Sequence, residues 1–318
     1  MSIILTITPN PTLDRVMLVR EFRMGAVVRG EREVITPSGK GVDVSLVVHE
    51  LGGDTLAVGL KAGFAGNLLT SMLDEIGVPY DLVPAHGETR IAVVLVDLAT
   101  GQQSTILTPT MTATEEHLSR LLALLDLHAG HAWGVVCGGS LPPGLPLDSH
   151  ARLLRRARQR GLVTLLDSSG ESLRQGVVGL PYILKINRQE LASLDPDTGR
   201  GSGDVGDVAH MAERLAARLG EWASEALIVT LGERGTLAVV HGGRYHAQPP
   251  QVAVANTAGA GDALTAGIML ARSRGTGWPE ALALGTAAAA SVVMNEGTAV
   301  CRRRQVDALL PQVRVVSV

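Results

Sequence analysis

The chain has 318 residues, with 28 Lys and Arg against 31 Asp and Glu and a formal net charge of −3. That balance excludes a general electrostatic pull toward nucleic acid or an acidic membrane surface. The hydrophobic share is 46%, enough for a core, yet two Phe, three Tyr and three Trp leave Ala, Leu, Val and Gly to fill it.

The N-terminal "MSIILTITPNP" has no basic leader and no small-residue cleavage site, so it reads as a strand, Ile3–Thr8, rather than a signal peptide. Residues 15–36 alternate like a hairpin and show no helical period. "PSGKGVD", Pro37–Asp43, then opens a helix over Val42–Leu51, and Lys40 between Gly39 and Gly41 offers backbone and ammonium contacts to a polar ligand. It is not a Walker A loop: Val34 stands where a Gly is required, and Gly41 where a Ser or Thr would hold Mg²⁺. A strand at Thr55–Leu60 and a helix at Leu68–Ile76 follow.

Residues 90–107 alternate again, with a turn at Ala99–Gln102. Together with 15–36 they are expected to form a small sheet standing off the main body, a lid, whose apolar face a second copy of the chain would cover. Arg29 and Arg90 sit at this lid, where each could clamp a substrate phosphate or simply be an exposed Arg with no specific task. Beyond it come helices at Glu115–Leu127, Ser149–Arg160 and Val205–Leu219, among strands at Gly134–Cys137, Val163–Asp167, Ile183–Ile186 and Leu227–Leu231. Strand and helix repeating at this spacing predict a mostly parallel sheet covered on both faces.

Three stretches in the second half carry chemistry. In "KINRQEL", Lys185–Leu191, Asn187 and Glu190 fall on one face of a helix start. There Glu190 could orient a hydrated Mg²⁺, or Asn187 could simply cap the helix. "TLGERGT", Thr230–Thr236, is a strand entering a Gly-flanked turn that either approaches nucleotide phosphates or is a plain hairpin. In "NTAGAGDALTAGIMLA", Asn256–Ala271, the small residues Gly259, Ala260 and Gly261 let their N–H groups converge where a helix begins. The helix dipole adds positive potential, making an anion hole suited to a transferring phosphoryl group. Asp262 beside it is placed to take a proton from an attacking hydroxyl.

Other features read as structural. Cys137 and Cys301 are expected to be reduced. "GSGDVG", Gly201–Gly206, matches a dinucleotide fingerprint but follows a polar loop instead of a strand. His128 and His131 lack metal-site partners, and the arginines at 152–160 and 302–304 are solvated faces. The apolar window Ala281–Met294 is shorter than the ~18 residues a bilayer requires. A soluble cytoplasmic protein with no membrane contact follows.

With "GGSLPPGLP", "LLDSSGESL", "LKINRQEL", "NTAGAGDALTAG" and "NEGTAVC" in this order, the chain resembles the ribokinase-like PfkB carbohydrate kinases nearly end to end. Within them it is similar to the phosphosugar branch, which holds 1-phosphofructokinase, tagatose-6-phosphate kinase and the minor 6-phosphofructokinase. The resemblance implies a single kinase domain over 1–318, an α/β fold of three layers (α/β/α) around a mostly parallel sheet, and a β lid shared in a homodimer. It implies ATP as co-substrate and Mg²⁺ as cofactor, and leaves open a monovalent cation (K⁺) near Asn256, Asn295 and Gly297. It makes Asp262 the catalytic base and Gly259, Ala260 and Gly261 the anion hole. Asp14, Gly39, Lys40, Asp43 and Ser140 fall on the sugar side, with Arg90 and Arg29 gripping the phosphate. Lys185, Asn187, Thr230, Gly232, Gly235 and Asn295 fall on the ATP side, and Glu190 in the Mg²⁺ network.

Three departures stand out. Asp43 replaces the usual Asn of G-K-G-x-N, Ile186 replaces a Pro, and "LTPTMTATEE" (Leu107–Glu116) lacks the N-x-x-G element often found after the lid. An amide donates and accepts hydrogen bonds, whereas a carboxylate only accepts. The expected activity is ATP-dependent phosphorylation of a ketohexose phosphate to a bisphosphate. The alternatives are a kinase of an unphosphorylated sugar or nucleoside and, more remotely, a sugar-phosphate sensor without turnover.

Overall fold

The computed structural model describes residues 3–196 and 205–318. The first half runs β1 (Ile3–Thr8), β2 (Thr12–Val19), β3 (Gly30–Ser38), α1 (Lys40–Glu50), β4 (Thr55–Lys61), α2 (Gly63–Ile76), β5 (Tyr80–Pro84), β6 (Arg90–Asp97), β7 (Gln103–Leu107) and α3 (Glu115–His128). Next come β8 (Ala132–Gly138), α4 (Ser149–Gln159), β9 (Val163–Asp167), α5 (Gly170–Val177), β10 (Ile183–Asn187), α6 (Arg188–Leu194) and α7 (Val205–Ala216). The chain closes with β11 (Ala226–Thr230), β12 (Thr236–Val240), β13 (Gly243–Gln248), α8 (Ala260–Ser273), α9 (Trp278–Val293), α10 (Arg303–Leu309) and β14 (Arg314–Ser317).

A ten-stranded sheet has the order β14-β13-β12-β11-β10-β9-β8-β1-β4-β5. From β11 to β5 every neighbouring pair is parallel. The strands are buried on both sides because their residues alternate between two cores. On β1, Leu5 and Ile7 pack with helices α3 to α7, while Ile4 packs with α1, α8, α9 and α10. On β8, Val135 and Cys137 face the first layer and Val136 the second, and on β10 Leu184 and Ile186 oppose Ile183. The result is the expected three layers. Three antiparallel strands, β12 to β14, extend one edge. Sequence reading does not show them, because a half-buried polar strand such as "GRYHAQ" carries little apolar alternation.

The lid is a four-stranded sheet in the order β3-β2-β6-β7. Its strands begin deeper than residues 15–36 suggest. Thr12 pairs with Ser38 on β3 and with Arg90 on β6, and Asp14 with Thr36 and Ala92, so Asp14 is itself a lid-strand residue at the inner end. The β6–β7 turn closes where expected, with the Asp97 carboxylate accepting the N–H groups of Ala99 and Thr100. The middle of the lid's apolar face is not left open: Val16, Leu18, Val94 and Val96 form a buried cluster of their own. Apolar exposure lies instead on the tip loop, at Met24 (89%) and Val27 (96%), and on edge strand β7 at Ile106 and Leu107.

"GSGDVG" lies mostly outside the described residues, and α7 begins at its last two positions. Among the described residues no helix is long and apolar enough to cross a membrane. Both cysteines are free and buried, and burial pushes the Cys137 thiol up to about 12, which makes it chemically inert at neutral pH.

Candidate active site

In an open parallel sheet, ligands bind beyond the carboxyl ends of the strands, where chain connections diverge. That rim here carries Thr8 after β1, Gly139 and Ser140 after β8, Asp167 at the end of β9, Asn187 at the end of β10 and Thr230 at the end of β11. Helices α1 and α8 bring their N-termini to the same rim, and the lid overhangs it through Asp14 and Arg90.

The head of α8 is built by small residues. Gly259 is the N-cap at φ 81°, left-handed backbone that a side chain disfavours. A Cβ on Gly261 would sit 2.7 Å from the Lys185 ammonium, so only glycine lets that amine approach the helix end. Among the described residues no acceptor takes the N–H of Gly259 or Gly261. Those amides are therefore available to a ligand, as an anion hole requires. Asn256 fixes the turn, its Oδ1 accepting from Ala258 N–H at 3.0 Å and its Nδ2 donating to the Glu296 carbonyl at 2.8 Å.

Asp262, in the first turn of α8, is buried. Burial raises its carboxyl above the ordinary value; Lys40 and Lys185 oppose that effect, Asp167 adds to it, and a hydrogen bond from the Asp43 side chain lowers it again. The net result is a carboxylate more basic than an exposed Asp, which suits a proton acceptor. Lys40 Nζ lies 2.8 Å from Asp167 Oδ1 and 3.7 Å from Asp262 Oδ1, and Lys185 Nζ lies 2.6 Å from Asp167 Oδ2. Asp167 thus sits between two ammoniums. Burial would raise its carboxyl, but Lys185 and Lys40 outweigh this and hold it below the usual range. In return the Asp167 and Asp262 carboxylates hold Lys40 charged, against a burial that would lower it.

At the inner end of the lid stand Asp14, Asp43 and Asp262, each buried. Burial raises Asp14, while the hydroxyls of Thr298, Ser38 and Thr12 and the Arg90 guanidinium oppose the rise. Asp43 is pushed well above the carboxylate range, first by burial, then by the Asp262 and Asp14 charges, with the Ser38 hydroxyl and the Gly39 backbone opposing. Asn10 joins the surrounding groups. Its Nδ2 donates to Ser140 Oγ at 3.2 Å, its Oδ1 accepts from Thr110 Oγ1 at 2.6 Å, and its carbonyl accepts from Arg90 at 3.3 Å. Thr110 belongs to the segment that lacks N-x-x-G, so a hydroxyl there supplies a link to the sugar side.

On the other side of α8 lies a cleft of about 930 Å³ lined by Thr230, Gly232, Gly235, Pro250, Thr286 and Ala289, among others. Ala260 and Gly261 form part of its wall, so one helix end serves both compartments. The "TLGERGT" stretch is a hairpin, Gly232–Arg234 making a tight turn between antiparallel β11 and β12, and that hairpin borders the cleft.

Three expected site residues stand apart. Asn187 caps α6 in a reciprocal pair with Glu190: Asn187 Oδ1 accepts the Glu190 N–H at 2.9 Å, and Glu190 Oε2 accepts the Asn187 N–H at 2.7 Å. Asn295 donates to the carbonyls of Ser291 and Val300 and to Gln305, and accepts from Arg302. Its amide ties the end of α9 to the following segment and is not part of the cleft lining. Arg29 lies exposed on the lid's tip loop.

Glu190 is the described carboxylate that best suits a divalent ion. Burial and the Asp167 charge raise it, while the Asn187 N–H, Lys40 and Lys185 oppose them, so a cation would relieve a desolvated acid. Among the described residues no cluster of three or more His, Cys, Asp or Glu could cage a metal. Mg²⁺ keeps several waters and binds through one or two carboxylates plus substrate phosphates, so Glu190 alone would serve as its protein ligand.

Asp167 and Asn10 were missed as site residues in the sequence. The signal for Asp167 was its place at the carboxyl end of an apolar strand, "VTLLD". Asn10 gave none, since Asn before Pro is ordinary turn chemistry.

Charge held out of water beside unpaired amides serves phosphoryl transfer, and on an α/β/α sheet with a nucleotide-sized cleft it defines a small-molecule kinase. The sequence pattern of the pfkB family carbohydrate kinases matches residues 10–304, and the chain belongs to that family. It is 32% identical over 309 residues to the ATP-dependent 6-phosphofructokinase isozyme 2 of Mycobacterium tuberculosis, covering 96% of this chain and 88% of that one. It is 29% identical to 1-phosphofructokinase of Vibrio cholerae, covering 98% and 96%. The crystal structure of Escherichia coli phosphofructokinase-2 in complex with potassium superposes with a TM-score of 0.85 at 26% identity, over 98% of this chain and 99% of that one.

Proposed function

We propose that the chain is an ATP-dependent kinase that transfers the γ-phosphoryl group to a hydroxyl of a ketohexose phosphate: fructose 1-phosphate, fructose 6-phosphate or tagatose 6-phosphate. The observation that carries this reading is the head of α8. Its amides wall the large cleft while its Asp262 faces the buried carboxylates and lysines of the other compartment. ATP lies in the cleft with its terminal phosphate toward Gly259, Ala260 and Gly261. The sugar lies under the lid, its hydroxyls held by Asp14 and its phosphate by Arg90.

As the sugar oxygen attacks the γ-phosphorus, its proton passes to an Asp262 carboxylate oxygen. The bond from the γ-phosphorus to the β,γ-bridging oxygen breaks, and ADP leaves. The helix amides and Lys185 stabilise charge on the transferring oxygens. Lys40, locked to Asp167, keeps Asp262 ionised until the proton moves. Mg²⁺, held through water by Glu190, supplies charge neutralisation on the phosphates when bound. Closure of the lid excludes water that would otherwise receive the phosphoryl group.

The single domain works as a homodimer through the lid, since the exposed apolar groups of the tip loop and β7 require a cover. Arg29, exposed on the tip loop, is the second residue this reading gives to the phosphate grip. A K⁺ ion near Asn256 and Gly297 is part of the reading, supported by the potassium complex of the solved relative. The free, buried cysteines agree with a cytoplasmic setting. ADP release assayed over a panel of phosphorylated and free sugars tests the proposal. Turnover of a ketohexose phosphate supports it, turnover confined to free sugars or nucleosides replaces the substrate, and no turnover with any sugar leaves the sensor alternative.

A further inference from the structure

The sugar side holds more negative charge than a dry compartment tolerates. Asp14, Asp43 and Asp262 are each at least nine-tenths buried. One oxygen of each, Oδ1 in all three, finds no protein hydrogen-bond donor. Lys40 is 3.7 Å from Asp262 Oδ1, beyond hydrogen-bond reach. Arg90 lies on the far side, next to Asp14 and the Asn10 carbonyl. Asp43 and Asp262 stand in the first turns of α1 and α8, which pack against each other, and the Oδ1 of each acid is buried with no donor among the described residues. A single retained proton removes the conflict, as in other pairs of close carboxyl groups.

We propose that Asp43 is kept as the neutral carboxylic acid, donates a hydrogen bond to the Asp262 carboxylate, and so aims the remaining Asp262 oxygen at the sugar hydroxyl. Asp43 is then a positioning residue, and its O–H does what an amide N–H does at this place in relatives with Asn. The neutral acid also removes the repulsion that an ionised Asp43 would exert on a substrate phosphate. The other Asp43 oxygen, Oδ2, accepts from Ser38 Oγ at 3.1 Å, which fixes the rotamer and leaves Oδ1 for the proton.

The groups facing Asp43 come from each neighbouring element. Asp14 approaches from β2, Ser38 from β3 and Asp262 from α8, with the Gly39 backbone at its own helix start. Lys40, Asp167 and Lys185 act at one remove through Asp262, and Arg90 through Asp14. Both carboxylates beside Asp43 and its burial favour the neutral form, which is lost only as pH rises.

The inference rests on the proposed kinase reading, so two measurements are paired. The first is kcat/KM against pH for the wild type, Asp43→Asn and Asp43→Ala, with the sugar phosphate found in the panel. The wild type shows an alkaline limb as Asp43 ionises, and Asp43→Asn moves that limb up by at least about one pH unit, because the amide donates at every pH. Asp43→Ala lowers kcat about ten-fold through the lost charge-assisted hydrogen bond, and Asn restores most of it. Alkaline limbs that superimpose in wild type and Asp43→Asn overturn the positioning role.

The second measurement is the Tm of the ligand-free protein from pH 5 upward. A carboxyl raised on folding stabilises fully below its unfolded value and loses that contribution as pH rises through its folded value. The Tm of Asp43→Asn therefore gains on the wild type as pH increases. A difference flat in pH overturns the neutral carboxyl itself. If the wild type turns over no sugar phosphate, the kinase reading fails, while the melting series still reports on the proton.

Discussion

The two compartments flanking the head of α8 are built from opposite materials. The side proposed for the sugar gathers ionisable side chains, Asp14, Asp43, Asp167 and Asp262 with Lys40, Lys185 and Arg90; Asp167 is paired with both lysines, while Asp14, Asp43 and Asp262 each keep one oxygen without a protein donor. The nucleotide cleft is walled mostly by small, neutral residues such as Gly232, Gly235, Pro250, Thr286, Ala289 and Ala290. Chemistry at a hydroxyl needs charges held in fixed positions away from water, where their interactions are strong. Holding a nucleotide needs space, flat apolar contact and a few backbone groups. Mutations on the first side should therefore strike kcat or sugar affinity steeply, and mutations on the second should act on ATP alone and gently.

The largest expected effect is at Asp262. Asp262→Asn keeps the shape and removes the proton acceptor, so kcat should fall by about 10²–10⁴ while the Kd for ATP, measured by calorimetry, stays unchanged. A kcat near the wild-type value would remove Asp262 from the chemistry and with it the division between the two compartments. Arg90→Ala comes next. Its guanidinium is partly buried, donates to the Asn10 carbonyl and leaves its Nε without a partner among the described residues, available to an anion. KM for the sugar phosphate should rise about 10²-fold, with the KM for ATP close to that of the wild type. A rise in both would mean that Arg90 supports the whole site instead of one ligand.

Ala289→Leu tests the gentler side. The side chain lines the cleft from α9, and three extra carbons reduce the room for a nucleotide. KM for ATP should rise roughly five-fold, the scale of modest overpacking, with the KM for sugar and the Tm little changed. If the sugar KM moves equally, the compartments are not separate.

The same contrast explains what the sequence made legible. Asp262 behind Gly259, Ala260 and Gly261, and Lys40 between two glycines, are readable because their chemistry needs those residue types in local order. The alternating apolar runs of β1, β8, β9 and β10 are readable because two-sided burial writes itself as composition. The cleft was visible only through "TLGERGT", since Thr286, Ala289 and Ala290 look like ordinary helix core and gain meaning from what faces them. Asp167 lay in plain view as a strand-end carboxylate, but its partners Lys40 and Lys185 stand 127 and 18 positions away along the chain. No local pattern joins them. Strands β13 and β14 were hidden for the reverse reason, being partly solvated and weakly alternating.

Asn187 offers the smallest effect and the sharpest reading of the nucleotide side. The resemblance places it with ATP, yet its side-chain oxygen is spent on the Glu190 N–H. Replacing it with Ala removes an N-cap and should cost about 1 kcal/mol in a denaturant melt. The backbone N–H of residue 187 survives the change and still donates to Glu190 Oε2, the bond that holds this carboxylate in place. Glu190 therefore keeps its position, and the Mg²⁺ concentration giving half-maximal rate should not shift. Nor should the KM for ATP. Lower stability with unmoved kinetics makes Asn187 a scaffold for the metal-side carboxylate, reached through the backbone. A ten-fold rise in the KM for ATP would instead return it to the nucleotide, and the cleft would then depend on at least one polar side chain that its wall of small residues does not reveal.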